Sequence, residues 1–192
     1  QLIAVSKARS VTEIQQAVDA GQLQFGENYL QESLDKIDAF EGKNLIWHFI
    51  GPIQSNKTAS IAEKFDWVHS IERFKIAKRL NDQRHPKLGQ LNVLLQVNID
   101  REKTKSGFFL EDIDEIVPEI KKLANISLRG FMCIPNPDNS ADSFTKMFEL
   151  LSKYPDLDTL SMGMSADLEL AIEKGTTFVR VGTDIFGERK YN

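Results

Sequence analysis

Short β-rich runs alternate with longer stretches of helical spacing eight times along this chain, and that alternation narrows the fold more than any other feature. The strand runs are Leu2–Ser6, Leu23–Gly26, Leu45–Ile50, Trp67–Ser70, Asn92–Ile99, Ser127–Cys133, Thr159–Met162 and Thr177–Gly182. Helical periodicity follows each in turn, over Val11–Ala20, Tyr29–Phe40, Ser55–Phe65, Arg73–Arg84, Leu110–Ala124, Ser143–Tyr154, Ala166–Lys174 and a short segment near Ile185. Repeated βα units imply parallel strands with helices outside, and eight of them imply closure into a barrel. An open doubly wound sheet is the competing arrangement, but it rarely needs eight strands, and its GxGxxG and GxxxxGK[ST] signatures are absent. The expected fold is α/β, a (β/α)8 TIM barrel forming a single domain over residues 1–192.

Local signals agree with these boundaries. Gly21 and Gly175 fall where helices would need a left-handed C-terminal cap. Ser10 or Thr12, Asp142 and Ser165 are candidate N-caps, and the Pro135–Ser140 stretch reads as a loop. With 192 residues and 41% apolar content the chain can bury one large core. A net charge of −4 leaves no electrostatic footprint for nucleic acid. Cys133 is the only cysteine, which removes a disulfide framework and a cysteine-rich metal site, and His48, His69 and His85 lack metal-ligand spacing. No apolar stretch is long enough to span a membrane and no signal-peptide pattern is present, so a reducing cytoplasm is expected. The chain opens at Gln1 directly on a strand, and a preceding N-terminal segment is expected to be missing.

Active groups of such barrels gather at the C-terminal ends of the strands. Lys7 ends the first run; it is either a lysine reaching to the rim or a Schiff-base amine, since burial frees the nucleophilic form. Arg180 alternates with Val179 and Val181 in the last run, sharing a face with Phe178 and Gly182. A buried arginine needs acceptors, so it is either half of a structural ion pair or a ligand group. Gly182 and Thr183 offer unobstructed backbone N–H groups and a hydroxyl, and Ser165 adds a hydroxyl near the start of the next helix. Loops after the seventh and eighth strands are the recurring phosphate site of this architecture. Closure of the last strand on the first would set Lys7 beside that anion site, as an aldehyde phosphate cofactor requires. Asn28 could hold a ligand hydroxyl or cap the following helix. His48 could face the ligand or be a satisfied core histidine.

The segments Ala4-Val5-Ser6-Lys7, Phe25-Gly26-Glu27-Asn28-Tyr29, Trp47-His48-Phe49-Ile50-Gly51, Gln54-Ser55-Asn56-Lys57, Lys103-Thr104-Lys105-Ser106-Gly107, Ser161-Met162-Gly163-Met164-Ser165 and Val179-Arg180-Val181-Gly182-Thr183 together resemble the pyridoxal phosphate homeostasis protein family. The resemblance runs in order along essentially the whole chain. It implies a fold-type III pyridoxal phosphate (PLP) barrel similar to that of alanine racemase. It implies Lys7 as the lysine that takes the cofactor as a Schiff base, Arg180 as the arginine facing the pyridine nitrogen, Ser165, Gly182 and Thr183 as phosphate ligands, and Asn28 near the ring. Lys57 and Lys105 match further lysines of the pattern. Two departures stand out: the family's helix before the first strand is absent, and the Pro135–Lys153 stretch is short and lacks an arginine often seen there.

What the resemblance implies is a cytoplasmic protein of intracellular PLP homeostasis that holds the cofactor and hands it over, without significant catalysis of its own. Lys7, Asn28, His48, Ser165, Arg180, Gly182 and Thr183 form the expected cofactor site, with no metal. The expected partners are PLP and PLP-dependent apo-enzymes, with neither nucleic acid nor membrane, and a monomer is expected, with a weak dimer as the alternative. The competing functions are a PLP-dependent amino-acid racemase and a phosphosugar barrel using Lys7 in an aldolase-like Schiff base. Racemisation needs proton-transfer groups on both faces of the substrate's α-carbon, and racemases of this fold take the second from a further domain.

Overall fold

The structure, a computed structural model, describes residues 1–188. The elements run β1 Leu2–Val5, α1 Val11–Asp19, β2 Gln24–Glu27, α2 Leu30–Ala39, β3 Ile46–Phe49, α3 Thr58–Lys64, β4 Trp67–Ile71, α4 Phe74–Gln83, β5 Leu91–Gln96, α5 Ile113–Lys121, β6 Ile126–Met132, α6 Ser140–Ser152, β7 Thr159–Ser161, α7 Leu168–Glu173, β8 Val179–Val181 and α8 Thr183–Phe186. The strands lie in the order β7-β6-β5-β4-β3-β2-β1-β8, every pairing parallel. A parallel bridge between Ser161 and Phe178, with the Met162 N–H donating to Phe178 O at 3.2 Å and the Arg180 N–H donating to Gly163 O at 3.0 Å, brings β7 back to β8. The (β/α)8 barrel expected from the eightfold alternation is therefore the fold.

Strand alternation sorts the side chains into two layers. Outward residues such as Phe25, Trp47, Phe49, Val68, Leu95, Phe131 and Leu160 pack with Ile14, Ile61, Ile76, Leu80, Ile120 and Phe144 from the helices. The residues between them look inward, and there the barrel carries polar groups: His48, His69, Ser161 and Arg180, all buried.

The helix ends confirm some caps and move others. Ser10 caps α1 in a reciprocal box, accepting the Glu13 N–H at 3.2 Å while Glu13 accepts the Ser10 N–H at 2.7 Å. Gly21 and Gly175 both follow their helices at positive φ. By contrast α6 begins at Ser140, with Asn139 in the capping position, so Asp142 lies in the first turn rather than at the N-cap. Before α7 the capping position belongs to Asp167, not Ser165. Part of the loop after β6 is wound into a 3-10 turn over Pro137–Asn139.

One glycine fixes register. Val93 pairs with Leu128 but Leu94 pairs with Gly130, so Arg129 is an extra residue that bulges β6. Gly130 then takes φ +153, and a Cβ there would fall 1.9 Å from Thr159 O on β7. Gly130→Ala is expected to lower stability by at least about 2 kcal/mol, through backbone strain and overpacking together, measured as a shift in denaturant midpoint at unchanged slope.

Candidate functional site

At the C-terminal mouth of the barrel lies a cavity of about 340 Å³ whose walls include Lys7, Asn28, Ser165, Arg180, Gly182 and Thr183. Six of the seven site residues expected from the sequence thus converge, from the ends of β1, β2, β7 and β8. The convergence follows from pairing: Leu2, Ile3 and Ala4 stand opposite Val179, Arg180 and Val181. A Cβ on Gly182 would come 3.3 Å from Val5 O, so the bare glycine lets the two strand ends close up beside Lys7. Lys7 itself is half-buried.

Arg180 is buried to 5% exposure and donates from Nη1 to Ser161 Oγ at 2.7 Å and from Nη2 to Cys133 O at 3.0 Å. Both acceptors are neutral. Among the described residues no carboxylate forms a salt bridge with it, so the structural ion pair considered from the sequence is not how Arg180 is satisfied. Burial lowers its pKa, but a guanidinium keeps its charge at any working pH.

Asn28 is not a helix cap either. Its Oδ1 is buried with no hydrogen-bond partner among the described residues. Gly51 holds it in place, because a Cβ on Gly51 would fall 2.2 Å from Asn28 O. Ser165 is exposed in the turn before α7, where Asp167 accepts the Met164 N–H at 2.7 Å, so the Ser165 hydroxyl has no capping duty. Lys105 lies outside this cavity, lining a smaller one of about 200 Å³ alongside, where it donates to Glu102 at 2.6 Å and to Ile134 O at 3.1 Å.

His48 is the exception to the convergence. It sits deeper in the barrel, stacked against Trp67 at 5.7 Å and hydrogen-bonded to His69 at 2.9 Å and Gln24 at 3.1 Å. The structure makes it the satisfied interior histidine that the sequence left as one of two alternatives. Burial pushes its pKa down to about 3, which keeps it neutral.

Two groups that buttress Lys7 were given no role in the sequence reading, although Glu27 stands at the end of a strand run and within one of the family segments. Glu27, fully buried, accepts from Ser6 Oγ at 2.5 Å and from Lys36 Nζ at 2.9 Å; Lys36 also donates to Ser6 O at 2.7 Å and to Glu32. Glu32 in turn accepts the Ala8 N–H at 2.5 Å, holding Ala8 at φ +58 immediately after Lys7. On the other side Arg9 donates to the carbonyls of Phe186 and Gly187, 3.0 Å to the former, clasping the turn that follows Thr183. Nothing in the spacing of Glu27, Lys36 and Arg9 marks them; a charged residue ending a buried strand was the physical signal available.

Among the described residues no group of His, Cys, Asp or Glu is placed to hold a metal ion, and no helix is long and apolar enough to cross a membrane.

A closed parallel barrel with a lysine just past β1, in one cavity with the glycine-threonine turn after β8, defines a class, and comparison with known proteins agrees. Residues 1–190 match the alanine racemase N-terminal domain family. The chain belongs to the pyridoxal phosphate homeostasis proteins. Its relative of that name from Escherichia coli (strain K12) is 49% identical over 205 aligned positions, covering 100% of this chain and 86% of the relative. The one from Vibrio cholerae serotype O1 is 51% identical over 204, with the same coverage. PipY of Synechococcus elongatus, solved without PLP, superposes with a TM-score of 0.90 at 35% identity over 97% of this chain and 92% of that one; solved with PLP bound, it gives 0.87 and 34% over the same shares. Alanine racemase of Clostridium difficile shares the fold at 16% identity, TM-score 0.75, over 100% of this chain and 53% of that chain.

The Glu27–Lys36 pair yields a direct test. Burial raises the Glu27 pKa, with Lys36 pulling it back. A carboxyl with a raised folded pKa loses stabilisation as pH rises from its unfolded value through its folded one. Removing the ammonium in Lys36→Met raises that pKa further. The variant is expected to lose about 3–5 kcal/mol at neutral pH and to recover part of it on acidification as Glu27 takes up a proton. Denaturant melts at pH 7 and pH 5 check the sign.

Proposed function

We propose that this protein binds pyridoxal 5′-phosphate in the cavity at the barrel mouth and serves intracellular PLP homeostasis by holding the cofactor and handing it to PLP-dependent apo-enzymes. One observation carries the reading: an amine, a buried cation with only neutral partners and a set of hydroxyl and backbone donors converge on one cavity. The orphaned Asn28 Oδ1 adds an acceptor in want of a donor. The PipY structure with PLP bound and the names of the full-length relatives support the same cofactor.

When bound, the cofactor supplies an electrophilic aldehyde and an electron-withdrawing ring. Lys7 Nζ would attack the aldehyde carbon and form a C=N Schiff base with loss of one water, a link that a second amine or water can reverse. Ser165, Gly182 and Thr183 would hold the phosphate, and Asn28 Oδ1 would accept from a ring substituent. Arg180 can only donate, so a ring nitrogen facing it would stay unprotonated. An unprotonated ring is a weak electron sink, which favours storage over catalysis.

A racemase is the second reading. Lys7 could serve one face of a substrate, but the other polar lining groups are an amide, two hydroxyls and a guanidinium, none of which exchanges protons readily near neutral pH. The relatives' names likewise speak of homeostasis rather than of catalysis.

Borohydride reduction of the loaded protein followed by peptide mapping should place the cofactor mass on the peptide containing Lys7, and Lys7→Ala should lose the visible absorption band while keeping weak binding. Cofactor mass exclusively on another lysine would overturn the assignment. Alanine racemisation should stay far below ordinary enzymatic turnover of about 1–10³ s⁻¹; rates within that range would establish the enzyme instead.

A further inference from the structure

Behind Arg180 a line of hydrogen bonds crosses the barrel interior. Arg180 Nη1 meets Ser161 Oγ at 2.7 Å, Ser161 Oγ meets His69 Nδ1 at 2.8 Å, His69 Nε2 meets His48 Nδ1 at 2.9 Å, and His48 Nε2 meets Gln24 Oε1 at 3.1 Å. Ser161, His69 and His48 are fully buried, walled by Trp67 and Phe178. Gln24, at the end of the line, lines a separate cavity that also touches Trp67 and Phe178.

The chemistry of the two ends sets the direction of the whole line. A guanidinium has donors only, so Ser161 Oγ must accept from it. At the other end the Gln24 amide oxygen only accepts, so a neutral His48 carries its proton on Nε2 and donates it there. Its Nδ1 then accepts from His69 Nε2, which leaves His69 Nδ1 to accept the serine proton. Every member is satisfied, every donor points away from the cavity, and neither imidazole is charged. Burial lowers the pKa of both histidines, and Arg180 adds to the effect on His69. The line is not a proton path, because its first member cannot give up a proton at working pH.

We propose that Ser161, His69 and His48 are positioning residues for Arg180, a one-way line of neutral groups that fixes the guanidinium at the cavity wall while leaving its positive charge uncancelled for the ligand. A carboxylate in the position of Ser161 would satisfy the same N–H groups and neutralise the charge. The consequence for cofactor affinity rests on the function proposed above; the direction of the line does not.

Two measurements test this. Long-range proton–nitrogen NMR of the unmutated, cofactor-free protein at neutral pH should show both interior histidines neutral, with the proton on Nε2 and Nδ1 bare. A proton on Nδ1 of either ring, or a charged imidazolium, overturns the assignment whether or not the protein binds PLP. The second compares Ser161→Asp with Ser161→Asn, which match in size and differ in charge, so that packing costs cancel. PLP is expected to bind the aspartate variant at least about tenfold more weakly than the asparagine variant, the order of one charge-assisted hydrogen bond. Equal affinities overturn the electrostatic half of the proposal. Should neither variant fold, the histidine tautomers of the unmutated protein decide alone, and absence of PLP binding to the unmutated protein would refute the proposed function while leaving those tautomers as the test.

Discussion

The pairing of the first strand with the last is the contact on which this molecule turns. Three residue pairs, Leu2–Val179, Ile3–Arg180 and Ala4–Val181, bring the ends of the barrel together. They set Lys7 beside Gly182 and Thr183, and they carry Arg180 into the interior, where its neutral acceptors wait. Remove that pairing and the amine after β1 is parted from the cation and the glycine-threonine turn of β8. The rest of the barrel supports it from both sides: the buried Glu27–Lys36 pair beneath Ser6 and the Arg9 clasp on the carbonyls after Thr183 hold the Lys7 turn between them.

Polar groups inside a barrel are costly unless each finds a partner. This barrel places them in two ways. Around Lys7 the partners are charged, and the Glu27 carboxylate balances Lys36. Around Arg180 they are neutral, a hydroxyl and a carbonyl, with two imidazoles behind. The contrast separates a charge paired with a carboxylate from one whose hydrogen-bond acceptors are neutral.

The sequence made the fold legible because strand and helix periods differ and eight alternations leave few arrangements. Most of the site was legible for a related reason: Lys7 and Arg180 interrupt apolar runs, and a charge there asks for a role. Ser165 and Asn28 were already candidates from their positions, but their residue types were equally consistent with helix caps, and the family resemblance favoured the ligand role. What stayed hidden depended on side-chain direction. His48 lies on the interior face of β3, as a candidate ligand should, but one layer too deep, and alternation alone does not report depth. The Glu27–Lys36 pair and the Arg9 clasp join residues with no motif between them. Cap positions shifted at α6 and α7 because the 3-10 turn over Pro137–Asn139 and the turn ahead of Asp167 move the helix starts by about one turn of chain.

The Arg9 clasp has a consequence for biosynthesis. It joins residues 177 positions apart, so the cavity is among the most non-local features of the molecule. A chain emerging from the ribosome can form its βα units in order, but the cavity at the barrel mouth is incomplete until the eighth strand is released and docks on the first. A ligand that favours the native state could then act only on a completed barrel. Cofactor supply would favour finished molecules over nascent ones.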